Sequence, residues 1–270
     1  MTVNGYPELP VASTTGQRNI CLVIAFDGSR YKGWQRQAGL PTIQGLLEEQ
    51  LTRMTGEQVC LYGAGRTDAG VHALAMVANF HTRSSIPLQG FRRGLNSLLP
   101  RDIRILAARE EIPDFHSRFD ARGKTYRYDF FTGEVQLPTT RLYMAHRPCS
   151  FDANRVRRCL RLIIGTHDFS SFEATGSRNP EQSGGRGAVR TISEARCEAI
   201  SSQPDSWSLI FTGDGFLRHM VRNLAGTLID AGRGRIGSGD FAAILAGRNR
   251  TLAGPTAPAC GLFLVRVHYH

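Results

Sequence analysis

A strand–helix–strand–strand–helix–strand order, read twice along 270 residues with Gly, Pro and Asp at the joints, predicts an α+β protein of two ferredoxin-like (β-α-β-β-α-β) halves. Two such units side by side can join their antiparallel sheets and leave a central cleft. The formal net charge of +10 makes that cleft basic. The halves are predicted at residues 19–115 and 116–270, behind a flexible N-terminal tail at 1–18. Sequence identity between the halves is not visible, so the repeat is one of pattern.

The first half opens with ICLVIAF from Ile20, a short apolar run rich in β-formers and closed by Asp27-Gly28, hence a strand. Thr42 can cap a helix whose apolar face is Ile43, Leu46, Leu47, Leu51 and Met54, with Gly56 as its stop. Gln58 to Tyr62 reads as a strand running into a glycine loop, and Ala75 to His81 as the next strand. Leu88 to Leu99 carries Phe91, Leu95, Leu98 and Leu99 at helical spacing before Pro100. Asp102 to Ala108 completes the unit as a strand.

In the second half Lys124 to Thr132 is a strand, and Asp152 to Ile164 a helix with Val156, Leu160, Ile163 and Ile164 on one face. Arg190 to Ile200 and Ser206 to Thr212 are strands parted by Gln203-Pro204-Asp205. Phe216 to Ala231 is helical, Gly239 to Ala246 is an additional short helix, and Leu262 to Tyr269 is the final strand. Ala174 to Ala188 is polar, Gly-rich and interrupted by proline. It reads as a mobile loop with two arginines able to touch RNA.

Composition narrows the partners. A net charge of +10 points to a polyanion, nucleic acid first. Of 33 Lys and Arg residues only Lys32 and Lys124 are lysines. Arginine forks onto phosphates and stacks on bases, although a GC-rich genome also produces such a ratio. Six scattered cysteines form no CxxC pair, which argues against a zinc site or a disulfide framework and fits a reducing, cytoplasmic compartment. The first residues lack the basic-then-apolar pattern of a signal peptide, and no apolar run is long enough to span a membrane.

The stretch GAGRTDAGVH, Gly63 to His72, carries the most chemistry. Asp68 lies in a loop directly after a strand, with Gly65 and Gly70 on either side to admit backbone or ligand closely. Arg66 can keep a carboxylate ionised or contact a phosphate, and an ionised Asp is a competent nucleophile at a sugar or an electrophilic base carbon. An Asx-turn in a surface loop explains the same spacing. Asp68 and His72 share a side only on a continuing helix, which Gly70 weakens, so a metal pair is disfavoured. The loop has neither a GxSxG elbow nor the Lys-Ser/Thr ending of a phosphate loop.

The same stretch resembles the active-site signature of the tRNA pseudouridine synthase A family. Other segments match in order: Phe26-Asp27-Gly28, Gly33-Trp34-Gln35-Arg36-Gln37, Asp114 to Phe119, Lys124 to Tyr128, Gly165 to Phe172, His219 to Asn223 and Gly261 to Val265. The resemblance implies two ferredoxin-like halves around a cleft, and an isomerase that converts uridine to pseudouridine at positions 38–40 of the tRNA anticodon stem-loop. It implies Asp68 as nucleophile and no cofactor or metal. Whether Asp68 attacks C1′ or C6, or acts first as a base, stays open. By the same resemblance Tyr126 stacks on the target base, where the bare sequence reads it as a core aromatic. Arg66 takes the space of the flipped nucleotide or holds its phosphate. Arg222, otherwise a solvated charge, pairs with Asp68, and Leu262, otherwise core, lines the base pocket. Trp34 and Phe169 are assigned to the core. A homodimer gripping tRNA is expected. The rivals are a non-catalytic RNA binder of two RRM-like units, disfavoured by the lack of an aromatic run of the RNP1 kind, and a metal-dependent hydrolase.

Overall fold

The computed structural model describes residues 16–177 and 186–269. Among them ten strands form one mixed but mostly antiparallel sheet, and five α-helices accompany it. The strands are β1 (Arg18–Phe26), β2 (Tyr62–Gly63), β3 (His72–Thr82), β4 (Ile103–Glu111), β5 (Gly123–Phe131), β6 (Ala145–His146), β7 (Gly165–Asp168), β8 (Val189–Ala199), β9 (Ser206–Gly213) and β10 (Leu262–His268). The helices are α1 (Ile43–Thr55), α2 (Leu88–Leu98), α3 (Ala153–Ile163), α4 (Met220–Gly232) and α5 (Ser238–Ala246). The principal order is β4-β1-β3-β10-β5-β9-β8-β7, with β2 beside β3 and β6 beside β5.

The helices end where local chemistry says they should. The Thr42 hydroxyl accepts from the Gly45 N–H, and Gly56 ends α1 at φ 72°, a conformation glycine adopts without a Cβ penalty. The Asp152 carboxylate accepts from the N–H groups of Asn154 and Arg155 at the start of α3. Helix α1 packs on α2 and α2 on β4, while α3 packs on α4, α5 and β8. The core they enclose includes Trp34, Phe80, Phe91, Phe169, Phe172 and Phe211.

Several expectations change. The run at 58–62 is not a full strand: only Tyr62 and Gly63 pair, with Asn79 and Ala78. The backbone of Leu61 is satisfied by side chains of α1 instead. Glu48 accepts from its N–H at 2.9 Å, and Gln44 donates to its carbonyl at 3.0 Å. With that edge of β3 partly vacant, β10 pairs with it in parallel at His72 and Ala73. The seam of the sheet is therefore parallel. Arg18 already pairs with Thr82, one residue inside the expected tail, of which residues 1–15 lie outside the described residues. Helix α4 begins at Met220 rather than Phe216, and the short strands β6 and β7 had no periodic signal. All six cysteines are free; Cys21, Cys159 and Cys197 are buried, whereas Cys60 is exposed. No helix is long and apolar enough to cross a membrane among the described residues.

Candidate active site

The loop carrying Asp68 leaves β2 and enters β3, and its backbone is seated on two glycines of another segment. A Cβ on Gly28 would stand 1.9 Å from the Val71 carbonyl oxygen, and one on Gly33 would stand 2.5 Å from that of Thr67. Gly33 sits at φ 92°, in the region other residues rarely adopt. Hydrogen bonds complete the seat: the Trp34 N–H donates to Thr67 at 3.1 Å, Gly70 to Tyr31 at 3.4 Å and Val71 to Asp68 at 3.2 Å. Gly63 lies flat against the buried Trp34 indole, 2.6 Å from where its Cβ would be. Physical contact thus links FDG and GWQRQ to the signature loop.

Asp68 extends from this loop toward the start of α4. Its Oδ2 stands 3.5 Å from Arg222 Nη1 and 3.4 Å from His219 Nε2, with the carboxyl side chain 29 % exposed. Arg222 is not a solvated charge: its Nε–H donates to the Ala257 carbonyl at 2.8 Å, and the Ala257 N–H returns to the Arg222 carbonyl at 3.1 Å. One turn further along α4, a Cβ on Gly226 would meet the Pro255 carbonyl oxygen at 1.7 Å, so the 255–257 segment lies against the helix. His219 has φ 61°, a left-handed position that His tolerates better than bulky or β-branched residues and that is often found at functional sites. Burial holds its imidazolium below the usual range, aided by Arg222, Arg218 and Arg250 against the opposing pull of Asp68.

Tyr126 on β5 is buried, edge-on to Phe216 at 5.1 Å. Burial first, and then the charge of Asp68, pushes its phenol well above the ordinary value, so the hydroxyl keeps its proton. Leu262 is buried opposite Tyr128, two positions along β10 from Leu264, the partner of Tyr126. Arg66 is exposed. Partial burial and the neighbouring Arg118 lower its guanidinium below the ordinary value. Asp68, Arg222 and Tyr126 thus converge. Leu262 shares the sheet face with Tyr126, and Arg66 stands at the rim.

His72 turns elsewhere. Its Nδ1 accepts from the Gly28 N–H at 3.1 Å and lies 3.2 Å from Asp27, and its ring stacks on Phe263. Among the described residues no group of three His, Cys, Asp or Glu gathers as a metal site.

Two residues escaped the sequence reading as site members. One is His219, quoted within its motif but given no role. The other is Lys124, at the head of the KTYRY strand. Its ammonium stands 3.0 Å from where a Cβ of Gly65 would be. Burial, then Arg118, Arg186 and Arg190, holds it down to about 8. Beside His219 an open cavity of about 470 Å³ is lined by Arg218, Asn223, Arg250 and Thr256, among others. The loop at 174–188 contributes only its described ends. The Ala174 N–H donates to Arg218 at 2.9 Å, and Arg186 pairs with Asp214. A carboxylate with two cationic or neutral nitrogen partners, a protonated phenol and a surround of arginines is equipped to bind an anionic polymer and attack an electrophilic carbon.

Comparison with known proteins points to one family. The sequence model of a family described as tRNA pseudouridine synthase matches residues 22–120 and 160–270. A protein of Desulfotalea psychrophila named tRNA pseudouridine synthase A 1 is 53 % identical over 252 residues, covering 93 % of this chain and all of its own. Proteins named tRNA pseudouridine synthase A from Solibacter usitatus and Acetivibrio thermocellus are 46 % and 41 % identical over the same coverage.

Proposed function

The chain belongs to the tRNA pseudouridine synthase family, isomerases that convert uridine to pseudouridine, and from that premise we propose that it acts at positions 38–40 of the tRNA anticodon stem-loop with Asp68 as nucleophile. The observation that carries the reading is the placement of Asp68 Oδ2, 3.5 Å from Arg222 and 3.4 Å from His219, on the signature loop. In the reaction the N1–C1′ bond breaks and a C5–C1′ bond forms. A proton leaves C5 and one is gained at N1, so the base changes attachment without change of composition. Asp68, held by Arg222, supplies the negative group; Tyr126, with its proton retained, packs on and hydrogen-bonds the base. Leu262 bounds the base pocket, and Arg66 fills or flanks the place the nucleotide leaves. Flipping is required because the reacting atoms are out of reach within a stacked stem. The ferredoxin-like reading of the two halves is supported by the strand orders β4-β1-β3 and β10-β5-β9-β8. A homodimer and a cytoplasmic location are part of the proposal, supported by the resemblance. Incubation of the purified protein with unmodified tRNA, followed by pseudouridine mapping, tests it. Modification within positions 38–40 is expected, and its absence there overturns the assignment.

The role of Tyr126 predicts a graded series. Stacking of a base on an aromatic ring is worth about 1–3 kcal/mol. Tyr126→Leu should slow the single-turnover rate at saturating tRNA by about tenfold or more. Tyr126→Phe keeps the ring and should retain base binding, with a much smaller rate loss than Tyr126→Leu. A leucine variant as fast as wild type would return Tyr126 to the core.

Lys124 predicts a pH dependence. Its ammonium is charged below about 8 and neutral above, whereas an unfolded lysine keeps its proton to about 10.4. Between these values the unfolded chain binds more protons, so this group's contribution makes the fold more stable as pH rises. We take this ammonium, beside Gly65 of the signature loop, as a phosphate contact; RNA binding then has the opposite sign, because that charge is lost as pH rises. Wild-type affinity should therefore fall as pH passes through about 8, and Lys124→Met should flatten that fall. Parallel profiles for the two proteins in an anisotropy titration would remove Lys124 from the contact.

A further inference from the structure

Between the two halves, residues 116–120 form a turn in which the N–H groups of His116, Ser117, Arg118 and Asp120 are all held. The His116 N–H donates to Asp120 Oδ2 at 2.8 Å, and the Asp120 N–H returns to the His116 carbonyl at 3.1 Å. The Arg118 N–H donates to His116 Nδ1 at 3.0 Å. Ser117 anchors the turn inward: its N–H donates to the buried Asn79 side chain at 2.9 Å, and its hydroxyl donates to the Tyr62 carbonyl. This construction directs Phe119 outward, 74 % exposed.

Single exposed apolar side chains are ordinary, but this one ends a row of three tilted rings. The Tyr62 and His116 rings lie 5.1 Å apart and the His116 and Phe119 rings 4.3 Å apart. Tyr62 immediately precedes the glycine loop of Asp68, so the row of rings starts at the edge of the site. Its rim is cationic. The Arg118 guanidinium carbon is 5.8 Å from the Phe119 centroid, and Arg118 acts electrostatically on both Arg66 and Lys124. An aromatic surface offered beside crowded cations suits a ligand with a π-face on an anionic backbone. A basic protein surface would be repelled there.

We propose that Phe119, at the outer end of the Tyr62–His116–Phe119 row, is a landing platform for an unstacked nucleobase of the RNA substrate, adjacent in the strand to the nucleotide taken by Asp68, with Arg118 and Arg66 meeting the phosphate between them. The inference rests on the reading of the substrate as RNA. It adds a second base site outside the one that performs the chemistry.

Phe119→Ala and Phe119→Trp test it, at a position exposed enough that neither change threatens the fold. Phe119→Ala should weaken tRNA binding about tenfold, within the range that loss of one stacked base gives. At saturating tRNA its single-turnover rate should stay within about twofold of wild type, because the ring does not touch the reacting base. Phe119→Trp should bind as wild type does, and its added emission, after subtraction of the wild-type signal, should be quenched as labelled tRNA saturates by anisotropy. Unchanged affinity of the alanine variant, or an unquenched indole at saturation, overturns the platform. Equal quenching by heparin, which has no bases, also overturns it. Quenching without any pseudouridine would leave the platform standing and overturn the proposed reaction instead.

Discussion

Asp68→Asn should reduce pseudouridine formation by at least about 10³-fold, the scale on which loss of an essential nucleophile is felt, while leaving the fold and tRNA binding in place. The amide preserves the shape of the side chain but cannot attack carbon or take a proton. Little structural cost is expected. The side chain is partly exposed, and its contacts to Arg222 and His219 are 3.5 and 3.4 Å, so the ion pair contributes at most about 1 kcal/mol after solvent screening. Arg222 keeps its bond to the Ala257 carbonyl, and the loop keeps the Val71 to Asp68 backbone bond. Removing one negative charge from a cationic surface should leave tRNA affinity unchanged or raise it. Single-turnover assays with saturating tRNA, alongside binding by anisotropy, separate the two quantities. Sustained turnover by an asparagine variant free of wild-type enzyme would take Asp68 out of the chemistry.

The second large effect is expected from a residue that touches no substrate. Gly33→Ala must place a Cβ 2.5 Å from the Thr67 carbonyl oxygen, 3.1 Å from the Asp68 carbonyl carbon, and hold φ near 92°. The backbone strain alone costs about 1–3 kcal/mol. The contact pushes directly on the residue before Asp68, and a displacement of about 1 Å at a reacting group can cost about 10²-fold in rate. Gly39→Ala supplies the control. Gly39 has φ 71° but nothing within 4 Å of where its Cβ would be, so it carries strain without collision. Both variants carry the strain, but Gly33→Ala adds the collision and should lose more stability in denaturant titrations, and about a hundredfold more single-turnover rate. Equal rates for the two would show that the loop is not positioned by this contact.

Legibility in the sequence followed locality. Helices α1, α2 and α3 were readable because apolar spacing, Thr42, Asp152, Gly56 and Pro100 are all local signals. The run at 58–62 misled because its alternation looks like a strand, whereas Glu48 and Gln44 of α1 take the backbone bonds of Leu61. The parallel contact of β10 with β3 joins residues nearly two hundred positions apart, and no periodicity reports it. At the candidate site, Asp68 could be singled out from the composition of its loop together with the resemblance. His219 was not, because a left-handed φ ahead of α4 has no mark in the residues Leu217-Arg218-His219. Lys124 escaped because a single lysine at a strand end gives no hint of how deeply its ammonium is covered. Phe119 was part of a quoted motif, yet only the turn at 116–120 shows that its ring faces solvent.

The position of β10 also bears on how the enzyme comes into being at the ribosome. Of the ten strands it is the last to be synthesised, yet it occupies the middle of the sheet between β3 and β5. Until it arrives, the lengths of β3 and β5 that it covers stand open, a condition that invites wrong pairing. Asp68 comes from the early part of the chain, and Tyr126 and Arg222 from the later part, so an interrupted translation product lacking β10 has Asp68 without the strand that joins it to its partners. The order of synthesis thereby leaves the meeting of these groups to the completion of the sheet.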